Sequence, residues 1–145
     1  MSFHEKSLWL LFSTVGAVFA LYFWLALTAL PRAGDQTTLA HAGLFMGLVV
    51  LLTVIQIFGN ILLALAGKLT GSMNGGVDTD ERDQLIELKG ARNGSLVLAA
   101  GVFCSLSAAL VTPGNFVFMH LLLGFWVAAQ LVETGTQLFL YRRGF

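Results

Sequence analysis

The stretch Leu121–Phe145, LLLGFWVAAQLVETGTQLFLYRRGF, decides the fold. Its apolar run is long enough to cross a bilayer, which takes roughly 20 residues. Two arginines, Arg142 and Arg143, follow the run. One acid, Glu133, interrupts the run. A charged side chain near the middle of a bilayer costs about 3 kcal/mol on insertion scales. The stretch therefore predicts a membrane-spanning helix whose carboxyl group has a structural or functional role that offsets its cost.

The composition of the whole chain agrees with a lipid environment. The chain has 145 residues, of which 57% are hydrophobic and 11% are charged, and its mean hydropathy is +0.80. In an ordinary soluble domain about a quarter of the residues are charged. The formal net charge is +0, which gives no sign of a nucleic-acid partner. The single cysteine, Cys104, excludes an intrachain disulfide.

Hydropathy predicts four crossings. We predict an all-α integral membrane protein, a four-transmembrane-helix bundle that forms a single membrane domain over residues 1–145. The predicted spans cover residues 7–30, 41–67, 93–112 and 115–141. Backbone groups in hydrocarbon must form hydrogen bonds within their own segment, so the spans are helices. The two prolines, Pro31 and Pro113, fall at the predicted turns.

The distribution of lysine and arginine predicts the orientation. With four spans, both termini and the loop 68–92 share one side of the membrane. That side holds seven basic residues: Lys6, Lys68, Arg82, Lys89, Arg92, Arg142 and Arg143. The other side holds Arg32 alone. The positive-inside rule therefore places both termini in the cytoplasm, with the first span as an uncleaved anchor.

The loop 68–92 holds most of the charge outside the predicted spans. A glycine-rich linker, Gly71–Gly76, precedes a helical pattern that predicts a short amphipathic helix from about Asp80, lying along the lipid headgroups. Its charged residues admit two interpretations: a solvated, capped helix face, or a surface that docks a cytoplasmic partner. We favour the solvated face and predict no metal site there. The candidate docking residues are Asp80, Glu81, Arg82, Asp83, Glu87 and Arg92.

Polar side chains recur at one depth in two spans. Gln130, Glu133 and Gln137 form a stripe along the fourth span, and Gln56 and Asn60 lie four residues apart on the second. At helical rise Glu133 lies about 13 Å from Arg142, and Asn60 lies about 12 Å from Lys68. We therefore predict an intramembrane polar layer in which Glu133 bonds Asn60 or Gln56.

Two roles for this layer are open. It fixes the register of the helices, or Glu133 carries a proton or a cation along a transport path. We favour the structural role, because transport usually needs more than one ionisable group. Near the other face lie His41 and His120, with Met46 and Met119 close by in sequence. No spacing motif supports a soft-metal site, and we interpret these histidines as interfacial residues without a function.

Three motifs carry a resemblance. The start MSFHEKSLW, the loop DERDQLIELKGAR and the end LVETGTQLFLYRRG occur in that order. Together they resemble a group of small uncharacterised bacterial four-span membrane proteins. The resemblance implies a bacterial cytoplasmic (inner) membrane location and a regulatory or stress-related role. In that group the second span tends to carry an acid, where this chain has Gln56 and Asn60.

These observations lead to two functional hypotheses. The first is a non-enzymatic membrane protein that senses or regulates, with residues 78–92 docking a cytoplasmic partner. The alternative is a small proton-coupled transporter that uses Glu133, working as a homodimer. An enzyme is disfavoured because the chain has no nucleophile elbow and no phosphate loop. The sequence indicates no cofactor. The lipid bilayer is the partner that the apolar spans require.

Overall fold

The computed structural model of this chain describes residues 3–30, 34, 36–69 and 81–143. They form four helices: α1 (Phe3–Thr28), α2 (Leu39–Leu69), α3 (Glu81–Val111) and α4 (Phe116–Arg143). Each helix is long and apolar enough to cross a membrane. The prediction of an all-helical chain with four candidate spans is therefore confirmed. Most helix ends lie within four residues of the predicted bounds, but α3 begins at Glu81, well before the predicted start at residue 93.

The helices stand in the order α2, α1, α4, α3. Close backbone packing joins α1 to α2, α1 to α4, and α4 to α3. Among the described residues, the backbones of α2 and α3 do not approach each other, so the bundle is open rather than closed into a ring. We call the end with the start of α1 and the end of α4 the terminal end, and the other end the opposite end.

The helix α1 lies at the centre of this arrangement. Its buried residues Phe19, Tyr22 and Ala26 belong to a core that also includes Leu48 of α2 and Val127 of α4. The ring of Phe19 meets Trp126 edge to face, with centroids 5.7 Å apart. By contrast, α2 exposes most of its apolar side chains. Such a surface is unfavourable in water but is the ordinary surface of a helix in lipid.

Two turns at the opposite end have clear local causes. The backbone oxygen of Thr38 accepts hydrogen bonds from the amides of His41 and Ala42, which are the first helical hydrogen bonds of α2. Between α3 and α4, Gly114 adopts a φ of 77°, a left-handed conformation that favours glycine. The Asn115 Oδ1 atom accepts two hydrogen bonds from Thr37, one from its backbone amide at 2.8 Å and one from its side-chain hydroxyl at 3.2 Å. These bonds tie the two turns together.

The closest helix pair is α3 with α4, because glycines line the contact. A Cβ atom at Gly94 would lie 2.9 Å from Glu133 Cβ and 3.0 Å from the Ala129 carbonyl oxygen. A Cβ atom at Gly101 would collide with Phe125. Small residues let helix backbones approach closely in membranes, where van der Waals packing rather than the hydrophobic effect holds helices together.

The described residues do not show the separate surface helix predicted from about Asp80. Asp80 itself lies outside the described residues, and α3 runs unbroken from Glu81 to Val111. The reason is that Gly90 and Gly94 lie where we expected the chain to turn, and both pack against α4 instead. A 31-residue helix is about 46 Å long, which exceeds the roughly 30 Å of hydrocarbon in a bilayer.

Candidate functional site

A polar cavity of about 330 Å³ lies at the terminal end, between α1, α3 and α4. Three carboxylates face it, from Asp83, Glu87 and Glu133. Its other polar lining residues are His4, Ser7, Gln137 and Tyr141, and its apolar lining residues are Leu8 and Ile86. A cavity rich in oxygen atoms and negative charge is suited to a proton, water or a cation, and unsuited to an anion.

Glycines of α3 place Glu133 and Gln137 in this cavity. The two residues lie one helical turn apart on α4, opposite Gly94 and Gly90 respectively. A Cβ atom at Gly90 would lie 2.6 Å from Gln137 Cγ, and one at Gly94 would lie 3.2 Å from Glu133 Oε2. A larger residue at either position would occupy the space that the two polar side chains use.

The polar groups of Glu133 and Gln137 have no partner among the described residues. In the part of the chain that the structure describes, no hydrogen bond or ion pair joins either side chain to another residue. Gln137 is only 8% exposed, and Glu133 is half-buried. Buried polar groups are normally hydrogen-bonded, so groups without a partner beside a cavity are available to something that enters it.

One hydrogen bond closes the edge of the cavity. The Tyr141 hydroxyl, near the end of α4, donates to Asp83 Oδ1 in the first turn of α3 at 2.7 Å. A hydrogen bond to a charged acceptor contributes about 1.5–3 kcal/mol when well formed. This contact therefore ties the first turn of α3 to α4, next to Glu133 and Gln137.

Tyr141→Phe is expected to loosen this end of α3 without unfolding the protein. The substitution removes only the hydroxyl that bonds Asp83 and keeps the ring in place. We expect amide hydrogen exchange at residues 81–88 to become about tenfold faster, in line with the loss of one such bond. Ser107→Ala is the matched control, because it also removes one hydroxyl but far from the cavity. Unchanged exchange at residues 81–88 would show that the bond does not hold this turn.

The polar layer predicted from the sequence is divided into two parts. Ser7 of α1 donates a hydrogen bond to Asn60 Oδ1 at 2.6 Å, and Gln56 Nε2 donates to Thr14 Oγ1. The predicted bond between Glu133 and Asn60 or Gln56 is therefore wrong. The reason is the helix order. Because α1 lies between α2 and α4, the side-chain amides of α2 form hydrogen bonds with α1.

The remaining predicted residues separate according to the helix face on which they lie. Gln130 does not line the cavity, although its neighbours along the stripe, Glu133 and Gln137, do. Of the docking candidates, Glu81, Arg82 and Arg92 are exposed. Asp83 is half-buried and lines the cavity, and Glu87 lines the cavity while its side chain stays exposed, so the predicted set covers two surfaces.

The glycines that form the site were not among the predicted site residues. Gly90 and Gly94 are four residues apart, and this spacing typically indicates close helix packing in membranes. The spacing is enough to predict that α3 packs closely against a neighbouring helix. Within the described residues, no group of three or more His, Cys, Asp or Glu side chains is arranged to hold a metal ion.

Comparison of the chain with protein-family models, with curated proteins and with solved structures found no match. The resemblance to small four-span membrane proteins, which rests on three sequence motifs, therefore stays a prediction.

Proposed function

We propose that this chain is a multi-pass protein of the bacterial cytoplasmic membrane that binds a proton or a small cation at Glu133, as a proton-coupled transporter does. One observation carries the proposal. Glu133 is the only acid between Leu88 and the carboxyl terminus, and it faces a polar cavity without a partner among the described residues. An intramembrane carboxyl group is costly, and such groups typically mark ion or proton paths.

The orientation proposed from the sequence places the cavity at the cytoplasmic surface. Seven basic residues belong to the terminal end or to the loop between α2 and α3, and only Arg32 belongs to the other side. With both termini in the cytoplasm, Asp83 and Glu87 lie on the cytoplasmic side of Glu133. Their charges favour the approach of cations from that side.

Competition between a proton and a cation for the Glu133 carboxylate would couple the movement of one to the movement of the other. A carboxylate that has no fixed ion-pair partner can hold either a proton or a cation, but not both at once. Binding of a cation to Glu133 therefore releases its proton, and binding of a proton releases the cation. Gln137 supports both states, because its amide oxygen can accept a hydrogen bond from a protonated carboxyl group and its amide N–H can donate to a carboxylate.

The proposal is tested with the purified protein in proteoliposomes that contain a pH-sensitive dye. Tetraethylammonium, sodium and potassium are added separately under an imposed pH gradient. We expect at least one cation to drive proton movement above that of empty liposomes. Proton movement equal to that of empty liposomes with every cation would contradict transport coupled to Glu133.

A second candidate function is the docking of a regulatory partner at the start of α3. Leu85 and Leu88 are 50% and 67% exposed in the part of α3 that extends beyond a bilayer thickness, beside the exposed charges of Glu81, Arg82 and Arg92. A photo-crosslinker at position 88 is expected to give one defined adduct in cells, which Leu85→Ser removes. An adduct pattern unchanged by Leu85→Ser would contradict docking at this surface.

A further inference from the structure

A groove of about 660 Å³ runs between α3 and α4 at the terminal end. It shares no described lining residue with the Glu133 cavity. Val132 and Thr136, which line it, each precede a lining residue of that cavity by one position, or about 100° around the helix. The residues that define its chemistry are Lys89, Arg92 and Asn93 of α3 and Val132, Phe139 and Leu140 of α4. The groove therefore lies on a different face of this helix pair.

Positive charge concentrates at one end of this groove. Lys89 and Arg92 line it on α3, and the Arg143 guanidinium lies over the Phe139 ring, 4.5 Å from its centroid. The Arg92 side chain is exposed, and it forms no hydrogen bond or ion pair with another described residue. A guanidinium presents five N–H donors in a planar arrangement that matches the oxygen atoms of a phosphate. This end of the groove therefore suits a negatively charged group.

The position of Arg92 along α3 places this charge at a membrane surface. Val111, the last residue of α3, lies about 28 Å from Arg92 at helical rise. That distance is close to the roughly 30 Å of hydrocarbon in a bilayer. With the turn between α3 and α4 at one surface, Arg92 therefore lies at the other, at the level of the lipid phosphates.

The rest of the groove extends into the hydrocarbon. Val132 lies about 16 Å from Arg143 along α4, on the side of the membrane interior. Its side chain and that of Phe139 are exposed, so both are open to the lipid that surrounds the helices. The groove thus joins a basic end at headgroup level to an apolar wall at the level of the acyl chains.

We propose that this groove binds an anionic phospholipid, with its phosphate at Arg92 and an acyl chain along Val132. Basic pockets between transmembrane helices typically bind the head groups of anionic lipids. Opposite charge favours such a lipid over a zwitterionic one, and the apolar wall favours a lipid over a soluble phosphate. The site is separate from Glu133, so it stands whether or not Glu133 carries a proton.

A matched pair of lipids tests the proposal with the full chain in detergent micelles, by native mass spectrometry. The first is palmitoyl-oleoyl phosphatidylglycerol, and the second is palmitoyl-oleoyl phosphatidylcholine, which has the same chains and no net charge. We expect the first molecule of phosphatidylglycerol to bind about tenfold more tightly, the difference that one hydrogen bond to a charged group makes. Arg92→Gln is expected to remove this preference. Lys68→Gln removes the same charge from an exposed position on α2, and it is expected to retain the preference.

Two uncharged variants separate a defined site from general attraction to basic residues. Val132→Trp fills the apolar part of the groove and leaves every charge in place, and it is expected to lower the affinity for phosphatidylglycerol to that for phosphatidylcholine. Val117→Trp places the same ring at an exposed position near the opposite end of α4, and it is expected to leave binding unchanged.

The outcomes that overturn the proposal are distinct. Equal affinity of the parent for the two lipids overturns it, as does a preference that Arg92→Gln retains or that Lys68→Gln loses equally. Unchanged binding in Val132→Trp shows that the groove is not the site. Displacement of phosphatidylglycerol by an equal concentration of glycerol phosphate, which has no acyl chain, overturns it in favour of a soluble anion.

Discussion

Glu133→Gln is expected to abolish cation-driven proton movement in proteoliposomes while the protein stays folded. The side chain keeps its size and its hydrogen-bonding atoms, but it can no longer release a proton or neutralise a cation. Because an acid inside a bilayer is costly, we expect the variant to be at least as stable as the parent. The measurement is the initial rate of dye response under the conditions that activate the parent protein.

Two further variants define the cause of that loss. Glu133→Asp retains the carboxyl group, and we expect measurable activity with an altered dependence on pH. Glu81→Gln removes an exposed acid in the first turn of α3 but outside the cavity lining, and we expect it to behave as the parent. Full activity of Glu133→Gln would show that the intramembrane acid is structural, the role that we favoured from the sequence.

Gly101→Leu is expected to separate α3 from α4 and to cause the largest loss of stability among single substitutions. A Cβ atom at this position already collides with Phe125, so neither helix can keep its place. Overpacked sites usually lose about 1–3 kcal/mol, and four added heavy atoms against a neighbouring helix should reach or exceed the upper value. The measurement is the midpoint of unfolding in dodecyl sulfate, followed by tryptophan fluorescence.

A glycine elsewhere in the chain supplies the control. Gly47, on α2, has nothing within 4 Å of its Cβ position, and it is exposed. Gly47→Leu is therefore expected to leave the midpoint unchanged, because the new side chain extends into lipid. Equal effects of the two substitutions would show that close contact of α3 with α4 does not determine stability.

Hydropathy predicted the number of helices because lipid imposes length and apolar character on each span separately. The order of the helices was not predictable in this way, since every span is apolar on most faces. The assumed pairing of Glu133 with Asn60 therefore failed: depth along the membrane normal is shared by all helices and does not identify neighbours. Ser7, not Glu133, is the partner of Asn60.

The glycines of α3 and the histidine of α2 show where a sequence signal existed and where it did not. The spacing of Gly90 and Gly94 indicates a close helix contact, although not with which helix. Nothing in the sequence indicates that His41 Nε2 is buried without a hydrogen-bond partner among the described residues. That property depends on Thr38 holding Nδ1 and on the side chains that pack around the ring.

The central claim is that four helices cross a bilayer with the Glu133 cavity on the cytoplasmic side. Single cysteines at Gln36, Glu81 and Arg143, in a Cys104→Ser background, test it with a maleimide that does not cross membranes. We predict that intact cells label position 36, and that positions 81 and 143 react only after the membrane is permeabilised. Labelling of position 81 or 143 from outside intact cells would contradict the claim.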